Sequence, residues 1–514
     1  MALYALRLTI NVILILLIIF TPIALGSVEL WAFSLMELGI LLMIILWATQ
    51  SIIARTPNSL PSEATVLQRR RTGELPAFAE TPALRKASGG GLSAGRRTPN
   101  SKLSTIFISL FLLLVLFQLV TIPAEIVKFL SPKTYALRFE LSPLSFELST
   151  SSFSISFVPF LTKVEFFKWL TLSGFFLFLL SWKYFDQRAI RKLILVVLCV
   201  GVFESLYGMF EFFSGHKHIL HLKMDHLISS VTGTFINRNA FAGYLLMVIP
   251  LSMGYLFSRE PHQMGRSMGW RLRLSSLDGK SLLIAFGIVL MILSLLFSAS
   301  RMGIASLLLS FSLISLFFRN PEGGKRLSRP SILILSLAVL WAAWVGLDAV
   351  ISRFFTTSES FEDRWTIWVN TFQIIKDYPL FGTGLGTFTQ VFPMYRSFHI
   401  RGLVTHAEND FLQLIAEVGL LGIGLLGILF FYLFYRGVSG IRSLSFRDPK
   451  RYIGMGGIVG ILALMFHSLV ERNIQIPANA FLYAFIWALV LWAGHAEKGS
   501  NSTKPGGYQV KETK

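Results

Sequence analysis

The sequence predicts an all-α polytopic membrane protein with about twelve transmembrane helices, and three observations carry that reading. Of its 514 residues, 53% are hydrophobic and only 15% charged, and the mean hydropathy is +0.62, a balance that soluble domains do not reach. Apolar stretches long enough to cross about 30 Å of hydrocarbon recur along the chain. The basic residues concentrate in every second interval between those stretches, the pattern by which membrane topology is encoded.

The spans are predicted near 8–26, 31–49, 104–122, 164–182, 190–213, 239–257, 281–297, 302–318, 331–347, 411–434, 452–470 and 477–495. Only Arg7 precedes the first, which is too long for a signal-peptide core and is read as a retained helix. The chain thus divides into the first two helices (1–50), a basic loop (51–103), helices three to nine (104–347), a long loop (348–410), helices ten to twelve (411–495) and a tail (496–514).

The basic intervals set the sidedness. Arg69, Arg70, Arg71, Arg85, Lys86, Arg96, Arg97 and Lys102 fill one, and Lys183, Arg188, Arg191 and Lys192 fill the next of the same parity. Arg259, Arg266, Arg271 and Arg273 follow, then Lys325, Arg326 and Arg329, then Arg436, Arg442, Arg447, Lys450 and Arg451. These intervals and both termini are expected in the cytoplasm, and 123–163, 214–238, 298–301, 348–410 and 471–476 outside. The net charge of +19 is therefore a topology signal and not a nucleic-acid footprint. A single cysteine, Cys199 within an apolar run, excludes an intramolecular disulfide. Residues 51–103 and 496–514 are rich in Gly, Ser, Pro and charge, and are expected to be weakly ordered and to carry no chemistry.

Chemistry concentrates in 348–410. Phe361, Trp365, Trp368, Phe372 and Ile375 recur at helical spacing, placing Arg364 on a short amphipathic helix that rests on the membrane domain or on lipid. An ion pair with Asp363 or Glu362 is the plainer account of that arginine. Gly382, Gly384 and Gly386 lack the strand and helix of a nucleotide loop, and fit a tight turn after Pro379-Leu380-Phe381. The stretch THAEND places His406, Glu408, Asn409 and Asp410 at the mouth of the tenth span. Capping of free backbone N–H groups explains one of them. A base oriented by a neighbouring carboxylate explains the rest.

Other basic groups sit at span boundaries. Arg238 and Asn239 open the sixth span, and Arg301 lies in the SASR turn, where a cation costs a few kcal/mol unless it snorkels or meets an anion. Arg396 belongs to the long loop. His216, His218, His221 and His226 with Asp225 match no firm metal spacing, and no metal site is assigned. A transporter would place ionisable groups near the midplane of several helices; the deep candidates are Glu204 and Glu211.

Taken in order, GTFINRNAFAGYLLMVIPL, FSASRMG, DRWTIW with DYPLFGTGLGTF, HAENDFLQLIAEVGLLG, and HSLVERNIQIPANAFLYAFIWAL resemble the O-antigen ligase and polymerase superfamily over roughly residues 200–495. The resemblance implies a GT-C-like fold in the bacterial inner membrane with its active site facing the periplasm. It implies transfer from an undecaprenyl-diphosphate-linked glycan to lipid A core or to another glycan unit, with inversion and without metal, cofactor or nucleotide sugar. His406, Arg301 and Arg364 match the essential positions, and Arg238, Asn239, Glu408, Asn409, Asp410 and Arg396 are the expected substrate-binding groups. The motifs do not separate a ligase from a polymerase of repeat units.

Overall fold

The computed structural model describes residues 2–54, 99–141, 152–182, 187–215, 218–223, 230–259, 278–317, 359–398 and 403–495. The first helices are α1 (Ala2–Ile23), α2 (Leu30–Ile53), α3 (Pro99–Leu119), α4 (Ala124–Leu130), α5 (Pro132–Leu141), α6 (Pro159–Ser181) and α7 (Gln187–Ser214). They are followed by α8 (Arg238–Ser258), α9 (Gly279–Phe297), α10 (Arg301–Phe317), α11 (Glu359–Asp377), α12 (Phe388–Val391), α13 (Asp410–Arg442), α14 (Pro449–His467) and α15 (Pro477–Ala493). The fold is all-α, and among the described residues there are two short antiparallel strand pairs: β1 (Thr121–Pro123) with β2 (Ser152–Ser154), and β3 (His218–Ile219) with β4 (Leu222–Lys223).

Eleven of the twelve predicted spans fall on helices; the ninth, 331–347, lies outside the described residues, as do 55–98, 496–514, His216, Asp225 and His226. Among the described residues, eight helices have the length and apolarity to cross a membrane, and α10 and α15 are shorter apolar helices. The span expected over 452–470 stops at His467, because the chain turns through 468–473 before Pro477 opens α15.

Helix α8 is the axis of the bundle, and nearly every side chain from Ala240 to Ser258 is buried. Without a hydrophobic gradient inside lipid, such a helix is held by close packing. Against α14 that packing is glycine to glycine: a Cβ on Gly456 would meet the Gly254 Cα at 3.1 Å. The deep carboxylate Glu204 is satisfied internally, accepting from the Thr234 N–H and hydroxyl at 2.8 Å each. The sequence reading overlooked a third deep carboxylate, Glu417 on α13, which is also buried.

Glu417 sits where α13 breaks. Gly419 has φ 66 and ψ −175, conformations closed to a β-carbon. The backbone groups released there pair with the stretch before α12: Leu420 N–H donates to the Pro379 carbonyl at 2.8 Å, and Thr383 and Gly384 donate to Ala416 and Glu417 carbonyls at 3.0 Å. Gln118, at the end of α3, donates to the Phe381 and Glu417 carbonyls at 2.6 and 2.9 Å. Gly382, Gly384 and Gly386 all have positive φ, so the turn expected there is present, and it is a cap on a broken helix.

Candidate active site

Four chain segments converge on residues 467–474, the turn between α14 and α15. From α11, the Arg364 guanidinium pairs with Glu471 at 2.8 Å and reaches the Val470 carbonyl at 3.4 Å. From the start of α8, Asn239 bonds the same Glu471 carboxylate. At the turn before α10, Ser300 Oγ lies 3.4 Å from His467 Nε2 and accepts from the Gly303 N–H at 3.2 Å, capping the helix that begins with Arg301. From the loop before α13, His406 meets the Arg472 guanidinium through Nε2.

The THAEND stretch divides its labour. Asn409 caps α13, accepting from the Phe411 and Leu412 N–H groups at 3.0 Å each. Asp410 does not cap: its Oδ2 accepts from the Asn473 and Ile474 N–H groups at 2.8 Å each, fastening the turn to α13. Glu408 has φ 49, a left-handed conformation that costs a non-glycine residue roughly 1–3 kcal/mol and recurs at functional sites. His406 is positioned from behind: the Ala407 carbonyl accepts from Trp368 Nε1 at 2.9 Å and the Ala407 N–H donates to Gln413 at 3.1 Å.

Helix α11 carries Arg364 as expected, and of the expected stripe Trp368 and Ile375 pack against the protein. Ile367 and Ile374 are buried against the 388–392 segment, while Trp365 and Phe372 stay exposed. The inward face is made of Ile367, Trp368, Ile374 and Ile375, half of it from the expected stripe. Arg238 opens α8 beside Asn239 and is half-buried. Arg396 is exposed, next to Tyr395, whose hydroxyl donates to Asp377 at 2.7 Å. That contact puts it at the far end of α11 from Arg364, about 20 Å along the axis at 1.5 Å per residue. The structure gathers Arg364, Asn239, His406, Glu408, Asn409 and Asp410 around one turn, brings Ser300, next to Arg301, to it, and holds Arg396 elsewhere.

Burial and the adjacent Arg472 push the His406 imidazole down to about 3, so the ring is neutral near pH 7. Burial raises the Glu471 carboxyl to about 7, against the opposing pull of Arg364. Burial also lowers Arg472, with Glu408 and Asp410 opposing. The His406 value has a consequence for stability. In the unfolded chain a histidine titrates near 6.5; below that pH the unfolded state takes the proton and the folded state does not, so this group's stability contribution is lost as pH falls from 6.5 towards 3. The melting temperature of the wild type should therefore decline more steeply between pH 6.5 and 4.5 than that of His406→Gln. Parallel declines would show that His406 keeps an ordinary proton affinity.

Glu471, Arg472 and His467 were not singled out from the sequence, although HSLVERN crowds polar groups between two apolar runs as THAEND does. That polar crowding marks the turn in the sequence, but not which segments meet on it. Residues 286–427 match the family model described as O-antigen ligase, a stretch that contains Arg301, Arg364 and His406. A search among curated proteins returns no match. The family match supports the O-antigen ligase and polymerase superfamily, and at that level indicates ligase-like transfer of a lipid-linked glycan by a multi-pass membrane protein.

Proposed function

We propose that the chain transfers a glycan from an undecaprenyl-diphosphate-linked donor to an acceptor hydroxyl at the outer face of the bacterial inner membrane. The convergence of Arg364, His406 and the Arg301 turn on residues 467–474 carries this reading. The donor's diphosphate exchanges with Glu471 for Arg364, since a guanidinium fork binds phosphate through two charge-assisted bonds. Arg301 and Arg472 supply further positive charge. The acceptor oxygen attacks the anomeric carbon opposite the leaving group, forming the C–O bond as the bond from that carbon to the phosphate oxygen breaks. The departing electron pair stays on the diphosphate, and the hydroxyl proton passes to His406.

His406 cannot accept that proton while its Nε2 takes a hydrogen bond from Arg472. A diphosphate that draws Arg472 away frees this nitrogen, and its negative charge offsets the cation that suppresses the ring's basicity. Donor binding thereby makes the base competent.

Purified protein given lipid-linked oligosaccharide and an extracted acceptor should form a glycosylated product, read by mass, at the same rate with and without chelator. Dependence of that rate on one divalent ion would overturn the all-protein charge stabilisation. The product also separates the ligase from the rival polymerase: lipid A core gains the glycan in one case, and lengthened carrier-linked chains appear in the other. Sidedness follows the basic intervals: reporters fused within 51–98 should be active in the cytoplasm and reporters within 348–358 outside. The reverse pattern would put the site on the wrong face for this reaction.

A further inference from the structure

His406 belongs to a second environment besides the arginine hub. It lines a pocket of about 90 Å³ whose wall includes Glu165 and Trp169 of α6, Gly386, Gln413 and Gln475. Its chemistry contrasts with that of the hub. None of the described lining residues is a lysine or arginine. The nearby Lys168 is consumed by Glu165, which it grips at 2.5 Å while only 12% exposed. What remains is two carboxylates, two amides, a hydroxyl and an imidazole against an indole and two leucines, a set that repels phosphate and suits a neutral ring bearing hydroxyls on its edge and C–H groups on its face.

The pocket is built and held in shape. Buried Glu417 forms its floor, accepting from the Gly386 and Phe388 N–H groups at 2.8 and 3.3 Å and from Gln413 Nε2 at 3.1 Å. Gly386 has φ 80, and a Cβ there would come to 2.5 Å of the Glu165 Cγ. The bare glycine is what lets Glu165 lie across the loop. Trp169 is braced by Phe111, ring centroids 4.9 Å apart.

We infer that this pocket is a sugar subsite: it takes one pyranose edge of the transferred or receiving glycan, while the arginines take the diphosphate, with His406 on the border between them. This rests on the glycan-transfer reading above. Two rings could supply the edge, that at the reducing end of the donor or that carrying the attacking hydroxyl of the acceptor.

Binding to the full-length protein in nanodiscs tests it with three probes: undecaprenyl diphosphate without sugar, glycan-bearing carrier extracted from the producing cells, and delipidated acceptor glycan from the same cells. Glu165→Gln and Gln475→Ala should each weaken a glycan-bearing probe about tenfold or more, roughly 1.4 kcal/mol, and leave the sugar-free carrier within about twofold of wild type. Loss in the carrier arm assigns the donor's ring; loss in the acceptor arm assigns the acceptor's ring. Unchanged binding of both glycan probes in both variants overturns the subsite, and so does weakened binding of the sugar-free carrier, which would make the pocket part of the diphosphate site. A wild-type protein that binds no carrier at all instead overturns the glycan-transfer reading itself.

Discussion

His406→Ala should abolish transfer, with single-turnover rates at least about a hundredfold and up to ten-thousandfold below wild type, the range a positioned general base contributes. Donor affinity should stay within a few-fold, because the diphosphate is held by Arg364 and its neighbours. The protein should still fold: Asn409, not His406, caps α13, and Asp410 fastens the 473–474 turn. Asp410→Asn is the matching control. An asparagine carbonyl can take both N–H bonds that Oδ2 now accepts, so this variant should keep the 473–474 turn fastened and much of the activity. Donor binding and single-turnover transfer measured on the same His406→Ala preparation decide the matter. Collapsed donor affinity with an intact chemical step would move His406 into the diphosphate clamp.

Arg364→Lys should lose most activity while inserting normally. The guanidinium spans two partners, Glu471 at 2.8 Å and the Val470 carbonyl at 3.4 Å. A lysine ammonium offers a point charge in place of that planar fork. Losing one well-aimed donor to the developing charge costs roughly 10²–10³ in rate, and here the ground-state diphosphate contact weakens too, so both donor affinity and turnover should fall. Arg301→Lys should behave likewise if its guanidinium also serves the diphosphate, since Arg301 follows Ser300, which caps α10 and meets His467. Wild-type turnover in either lysine variant would return that arginine to a snorkelling or ion-pairing role.

The helices were legible because span length and the alternation of basic intervals are one-dimensional properties. Eleven of the predicted spans fall on described helices, eight of them long and apolar enough to cross a membrane. The arginines and THAEND were legible because charge at a hydrocarbon boundary needs an explanation. Three features were not. Glu417 lies within an apolar run, and its partners Gly386 and Phe388 come from another segment. That Ile367 and Ile374 join Trp368 and Ile375 on the inward face of α11 depends on where the 388–392 segment lies. The hub at 467–474 depends on a tertiary meeting of four segments that no spacing rule encodes, and Arg396, equally basic, lands at the other end of α11.

The break at Gly419 also bears on how the chain is assembled in the membrane. A continuous apolar helix can enter lipid as a self-satisfied unit, but α13 cannot. Its N–H groups at Leu420 and Leu421, and its carbonyls at Ala416 and Glu417, find partners on residues 379–384 and on Gln118 of α3, and groups left unpartnered in hydrocarbon cost several kcal/mol each. Both partners are made before α13 leaves the ribosome. The helix bearing the catalytic loop therefore matures by docking onto a template already in place, and its insertion is coupled to the completion of α3 and of the 379–388 turn. Cutting that turn from the template should leave α13 stalled or mis-seated even though its own hydropathy is unchanged.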